Sequence, residues 1–218
     1  MTELVLLSNP RVADLPAREC GEPLVDLRTI GELALDDRQA DPAGAYVHLR
    51  AGVVERLLVA QGHLPAGVRL LVVEAYRPLW LQERYFEEYA GVLRSDNPSW
   101  SETEVRDQAS RYISPPEIAP HVSGAAVDLT LCTESGEELP MGTEVNASPE
   151  ESANACYTDA PDIPPTARDN RRLLVRALRT AGLVNYPTEW WHWSYGDRYW
   201  AMLTGAPAAL YGPRDLRL

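Results

Sequence analysis

His121, Asp128, Glu189 and His192 stand in the segments AlaProHisValSerGlyAlaAlaValAspLeu and GluTrpTrpHisTrp, and together supply two imidazoles and two carboxylates. Two imidazoles and one carboxylate can hold a zinc ion and leave a coordination position open for water, while the remaining carboxylate can take that water's proton. The set therefore reads as that of a metal-dependent hydrolase. The surroundings strengthen this. Asp128 interrupts AlaAlaValAspLeuThrLeu, a run with strand character in which an unpaired carboxylate would be costly to bury. Glu189 and His192 flank Trp190 and Trp191, and Trp193 follows, so both polar groups sit in an aromatic, low-dielectric setting. A cation would remove the cost in each case.

The rest of the chain has to bring these residues together. Val25 to Ile30 predicts an edge strand. Apolar residues at Val47, Val54, Leu57 and Leu58 recur at helical spacing from Tyr46 to Gly62. Val68 to Ala75 reads as a buried strand, and Pro78 can open a helix through Tyr89. Arg77 then stands at a strand-to-helix junction, a rigid place from which to aim a side chain. Ser101 and Glu104 predict a capping box for a helix reaching about Tyr112. Pro115, Pro116 and Pro120 predict an extended approach to His121, and a turn at Gly124 must fold the Asp128 strand back towards it. Thr133 to Pro165 reads as a long surface excursion able to cover a cleft. A helix over Thr166 to Ala181, stopped by Gly182, precedes a strand carrying Glu189 to Trp193. Residues of an ideal strand three apart face opposite sides, so that strand needs a twist or bulge for Glu189 and His192 to meet.

The motifs resemble those of the zinc D,D-peptidases of the D-alanyl-D-alanine dipeptidase type, which include the vancomycin-resistance dipeptidases. The family pattern His-x-x-Gly-x-Ala-x-Asp-Leu-Thr-Leu stands here as His121, Gly124, Ala126, Asp128, Leu129, Thr130 and Leu131. Its partner stands as Glu189, Trp190, Trp191, His192 and Trp193. GluAlaTyrArgPro at Glu74 to Pro78 is similar to the family's strand end with its essential arginine, and LeuProMetGlyThr at Leu139 to Thr143 to a further segment. The resemblance spans about Tyr46 to Trp200. It implies one Zn2+ per chain bound by His121, Asp128 and His192, Glu189 as general base, Arg77 facing the substrate carbonyl oxygen, and Asn146, Tyr76 and Trp191 as substrate contacts. The implied reaction is hydrolysis of the D-alanyl-D-alanine dipeptide to two D-alanines. The implied fold is α+β, one domain with a small, mostly antiparallel central sheet, helices packed around it and the zinc site in a cleft. Two departures concern substrate reading. Asn146 stands where the family's dipeptidases usually carry an aspartate, and Pro120 and Val122 replace the serine or threonine expected beside the first histidine.

Composition agrees with one domain spanning residues 1–218, with 1–45 as an extension packed on it. The net charge of −12 argues against a nucleic-acid partner, and all twenty basic residues are arginine, which removes lysine-based covalent chemistry. No apolar run suits a membrane span and the amino terminus lacks the pattern of a secretory signal, so the expectation is a cytoplasmic protein without a membrane partner and with a small dipeptide as substrate; oligomeric state is left open. Cys20, Cys132 and Cys156 read as free thiols. Cys132 is conceivable as a fourth zinc ligand, although a closed site would lose the open position that hydrolysis needs. His48 and His63 read as structural.

Three rival readings use overlapping residues. A non-haem iron oxygenase also uses two histidines and a carboxylate, but typically places the first pair two residues apart rather than seven and has no use for Glu189. A non-catalytic zinc-holding domain for wall peptides has no need of Glu189 with Arg77. A zinc amidase or dipeptidase acting on another small D-amino-acid or natural-product amide shares the whole catalytic set and differs only in the substrate-reading residues.

Overall fold

The computed structural model describes residues 4–111 and 113–216. The strands are β1 (Leu24–Asp26), β2 (Ala34–Leu35), β3 (His48–Arg50), β4 (Val68–Glu74), β5 (Ala126–Thr133), β6 (Val184–Asn185) and β7 (His192–Ser194). The helices are α1 (Pro10–Ala13), α2 (Ala51–Gly62), α3 (Leu79–Asp96), α4 (Glu102–Ala109), α5 (Pro165–Thr180) and α6 (Arg198–Thr204). Five strands form the central sheet in the order β2-β4-β5-β7-β6. Only β2 and β4 run parallel, and the other pairs are antiparallel. This is the α+β architecture expected. No helix among the described residues is long and apolar enough to cross a membrane.

Alternation along β5 explains the layering. Val127, Leu129 and Leu131 are wholly buried and join Val53 and Leu57 of α2 and Leu174 and Leu178 of α5 in one apolar core. Asp128 projects from the opposite face. The register then does the decisive work. Glu74 of β4 lies opposite Asp128, and Asp128 lies opposite His192 of β7, so three polar residues form one row across three strands. A bulge between Val72 and Glu74 brings Glu74 into that row.

Several elements differ from the sequence expectations. The helix expected from Tyr46 starts at Ala51, because His48–Arg50 is drawn into antiparallel pairing with β1. The strand expected over Val25 to Ile30 ends at Asp26, whose carboxylate accepts from the Arg28 amide and opens a 3-10 turn. The approach to His121 is a 3-10 turn, Pro120–Ser123, with the proline's fixed φ at its first position. The Ser101–Glu104 capping box forms as expected, but its helix ends at Ala109; Tyr112 lies outside the described residues. The excursion after β5 is less superficial than its composition implies. Met141, Val145, Cys156 and Ile163 are buried, and Arg171 of α5, itself buried, donates to the carbonyls of Met141, Ala155 and Tyr157.

Candidate active site

Three short devices position the ligand-type side chains. His121 rides the 3-10 turn, which Gly124 closes at φ +68° in the left-handed region that glycine adopts without steric cost. The Arg77 amide donates to the His121 carbonyl at 3.2 Å, so the turn is anchored to the end of β4. His121 Nδ1 lies 2.6 Å from the Ala75 carbonyl. A carbonyl only accepts, so Nδ1 carries the proton and Nε2 presents its lone pair to the centre.

His121 Nε2, His192 Nδ1 and Asp128 Oδ1 converge at one buried point. The separations are 3.2 Å between the imidazole nitrogens, 3.0 Å from His192 to Asp128 and 3.4 Å from His121 to Asp128. A tetrahedral zinc with bonds of about 2.0–2.1 Å sets its ligand atoms about 3.3 Å apart, so the donor set fits that ion in both type and spacing. Burial alone would raise the Asp128 carboxyl, but His121 and His192 override it and hold the group well below the usual carboxylate range. For His192 burial works against the charged form, and its hydrogen bond to Asp128 more than reverses that and raises its pKa.

Glu189 does not lie in a strand with His192. Residues 189–191 form a turn in which the His192 amide donates to the Glu189 carbonyl at 3.2 Å, and β7 begins only at His192. The required change of side is thus made by a turn rather than by a bulged strand. It leaves Glu189 Oε2 3.8 Å from His192 Nδ1, beside the ligand set and partly open to the cleft. Desolvation raises the Glu189 pKa, with His192 pulling it down and Asp128 pushing it up. The turn is clamped by Asn185, whose side-chain amide donates to the carbonyls of both Glu189 and His192, at 2.9 and 3.0 Å.

Arg77 projects from the end of β4 and is held on three nitrogens. Nε and Nη2 donate to the two carboxylate oxygens of Glu74, the first at 2.7 Å, and Nη1 donates to Gln82 Oε1 at 2.7 Å. Five N–H groups minus these three bonds leaves donors on Nη1 and Nη2 in a fixed plane. Sequence reasoning missed Glu74 and Gln82. Glu74 carried the same signal as Asp128, a carboxylate ending a buried apolar run, whereas Gln82 on a helix carried none.

Arg77, His121, Asp128, Asn146, Glu189, Trp191 and His192 all line one cleft of about 890 Å³. Trp191 is buried and its indole N–H has no partner among the described residues. Asn146 holds a left-handed backbone at φ 66°. Tyr76 does not line the cleft. Its hydroxyl donates to the Arg214 carbonyl at 2.5 Å and accepts from the Leu216 amide, so it fastens the carboxy-terminal segment instead of meeting a substrate. Cys132 is four residues further along β5 from Asp128, about 13 Å at strand rise, and is too far to be a ligand. His48 bonds the Gly44 and Ala45 carbonyls and is structural.

The profile of the D-ala-D-ala dipeptidase family matches residues 34–204. The chain is 28% identical over 219 positions to the D-alanyl-D-alanine dipeptidase of Synechocystis sp., covering 86% of this chain and 87% of that one. It is 29% identical over 128 positions to the D-alanyl-D-alanine dipeptidase of Escherichia coli K12, covering 58% and 55%. Among solved structures it is similar to a mutant of the vancomycin-resistance D,D-pentapeptidase VanY in complex with Zn(II), at 16% identity and TM-score 0.42 over 92% of this chain and 96% of that one. It is also similar to the LdcB LD-carboxypeptidase, at 15% identity and TM-score 0.42 over 94% and 87%.

Proposed function

The chain belongs to the D-ala-D-ala dipeptidase family of metallopeptidases, and from that premise we propose that it hydrolyses D-alanyl-D-alanine to two D-alanines with one zinc held by His121, Asp128 and His192. The observation that carries this reading is the convergence of three ligand atoms within 3.0–3.4 Å of one another, in a cleft that Glu189 and Arg77 also line. When bound there, zinc supplies a Lewis acid that acidifies water and polarises an amide carbonyl.

The chain's own residues do the remaining work. Glu189 stands next to the ligand set without being needed in it, and its burial-raised pKa suits a group that both takes and returns a proton. It accepts a proton from the attacking water, whose oxygen bonds to the carbonyl carbon. It then delivers that proton to the amide nitrogen as the carbon–nitrogen bond breaks, and the water's second proton passes from the new carboxyl group to the amine, giving a carboxylate and an ammonium. Arg77 offers its remaining N–H donors to the carbonyl oxygen as charge builds on it, and Glu74 with Gln82 keeps the guanidinium from reorienting. Trp191 and Asn146 supply polar groups to the substrate from the cleft wall.

A chelator tests the metal requirement. Stripping the protein is expected to abolish release of D-alanine from D-alanyl-D-alanine, and added Zn(II) to restore it. Release that persists in fully stripped protein would contradict the proposal.

A further inference from the structure

We propose that the preferred substrate carries a neutral aromatic acyl group on the amino end of its D-alanyl-D-alanine, and that this group lies in an apolar arm of the cleft along α3. The inference rests on the dipeptidase reading above. A volume of about 890 Å³ is near the top of the roughly 300–1,000 Å³ that drug-sized ligands occupy. A dipeptide of two alanines leaves most of that space unfilled.

On α3 and α4 that surplus meets a run of aromatic and aliphatic side chains, with Glu88, Gln108 and Arg111 among them. Tyr85, Tyr89 and Val92 recur along α3 at i, i+4 and i+7, so they share one stripe of the helix, and all three line the cleft. Trp100 and Ile113 continue the wall and pack on the small cluster that joins α3 to α4. The stripe starts at the candidate chemistry, because Arg77 Cζ lies 5.3 Å from the centre of the Tyr85 ring. Residues 146–150 line the same cleft. Burial raises the Tyr89 hydroxyl's pKa and the Glu150 carboxylate raises it further, which places Glu150 within electrostatic reach. Val92 is 55% exposed and reachable from the cleft.

The charge supply decides which kind of extension fits. Five carboxylates line the cleft: Glu74, Glu88, Asp128, Glu150 and Glu189. Asp128 and Glu189 belong to the candidate centre, and Glu74 is engaged by Arg77. Glu88 and Glu150 are exposed, where water screens a charge pair and little attraction remains. A free ammonium on the substrate would therefore meet no buried counter-charge. An acylated amino end carries no charge and needs no counter-ion there.

The test compares kcat/KM for D-alanyl-D-alanine and for N-benzoyl-D-alanyl-D-alanine, using zinc-loaded wild type, Tyr89→Ala and Val92→Ser. Wild type is expected to favour the benzoyl compound at least tenfold, mainly through KM, and each substitution to shrink that preference several-fold. Val92 is exposed, so its variant folds even if the Tyr89 variant does not. Equal or better use of the free dipeptide by wild type overturns the inference and leaves the dipeptidase reading standing. So does a benzoyl preference that survives Val92→Ser together with Tyr89→Ala. Turnover of neither compound defeats the dipeptidase reading and this inference with it.

Discussion

At the scale of single residues, the chemistry depends on groups whose burial would be costly without a partner. Asp128, Glu189 and His192 were legible in the sequence for that reason, each a polar residue in an apolar or aromatic run, and His121 through the motif that it shares with Asp128. Arg77 was legible as a junction residue and through the GluAlaTyrArgPro resemblance; that Glu74 and Gln82 hold three of its nitrogens depends on a strand bulge and a helix start that spacing does not reveal. The geometry makes Arg77 sensitive to shape as well as charge. Arg77→Lys keeps the positive charge but loses the fork that Glu74 and Gln82 fix, leaving no aimed donor for the carbonyl oxygen. We predict a fall of about 100-fold or more in kcat with zinc content unchanged. Steady-state kinetics with metal analysis on the same sample checks this, and near-wild-type turnover would remove Arg77 from the oxyanion role.

At the scale of elements, the centre is assembled from a 3-10 turn, a strand and a tight turn joined by backbone bonds. The strand pair β4–β5 and the turn at Gly124 could be read from composition, since buried β-branched runs and a glycine before a strand carry their own signal. The 189–191 turn could not, because three tryptophans around a histidine look like a strand until the clamp from Asn185 is seen. That clamp extends into the long excursion, where Thr158 Oγ1 donates to Asn185 Oδ1 at 2.6 Å. Asn185→Ala would leave two buried carbonyls without their side-chain donor and free Glu189 to move relative to His192. The expected result is a loss of about 10–100-fold in turnover or zinc affinity, the range for groups that orient ligands from behind. Zinc titration and kcat measured together show which of the two suffers, and a variant unchanged in both would show that the turn holds itself.

At the scale of the whole molecule, the amino-terminal segment is part of the scaffold that holds His121. Arg50 is wholly buried and bonds both carboxylate oxygens of Glu19 at 2.8 Å, the Glu22 and Ser123 carbonyls at 2.7 Å and the Gly212 carbonyl at 3.1 Å. One guanidinium therefore joins the amino-terminal residues, the His121 turn and the carboxy-terminal segment. The extension 1–45 was legible as a separate stretch of sequence, but not as this tie, which links positions up to 162 residues apart. We propose that residues 1–218 unfold as one cooperative unit. Glu19→Ala leaves the buried charge without its counter-ion, at a cost of about 2–3 kcal/mol, below the value for a fully buried pair because Glu19 keeps 39% exposure. A single thermal transition lowered by about 4–12 °C is expected. Two separate transitions would show that the extension folds independently.

The most direct test of the central claim measures zinc content and D-alanine release from D-alanyl-D-alanine for wild type and Glu189→Ala. The account predicts about one zinc per chain in both proteins and turnover at least about 100-fold lower in the variant. A zinc-loaded Glu189→Ala that releases D-alanine at the wild-type rate, or a zinc-loaded wild type that releases none, would contradict it.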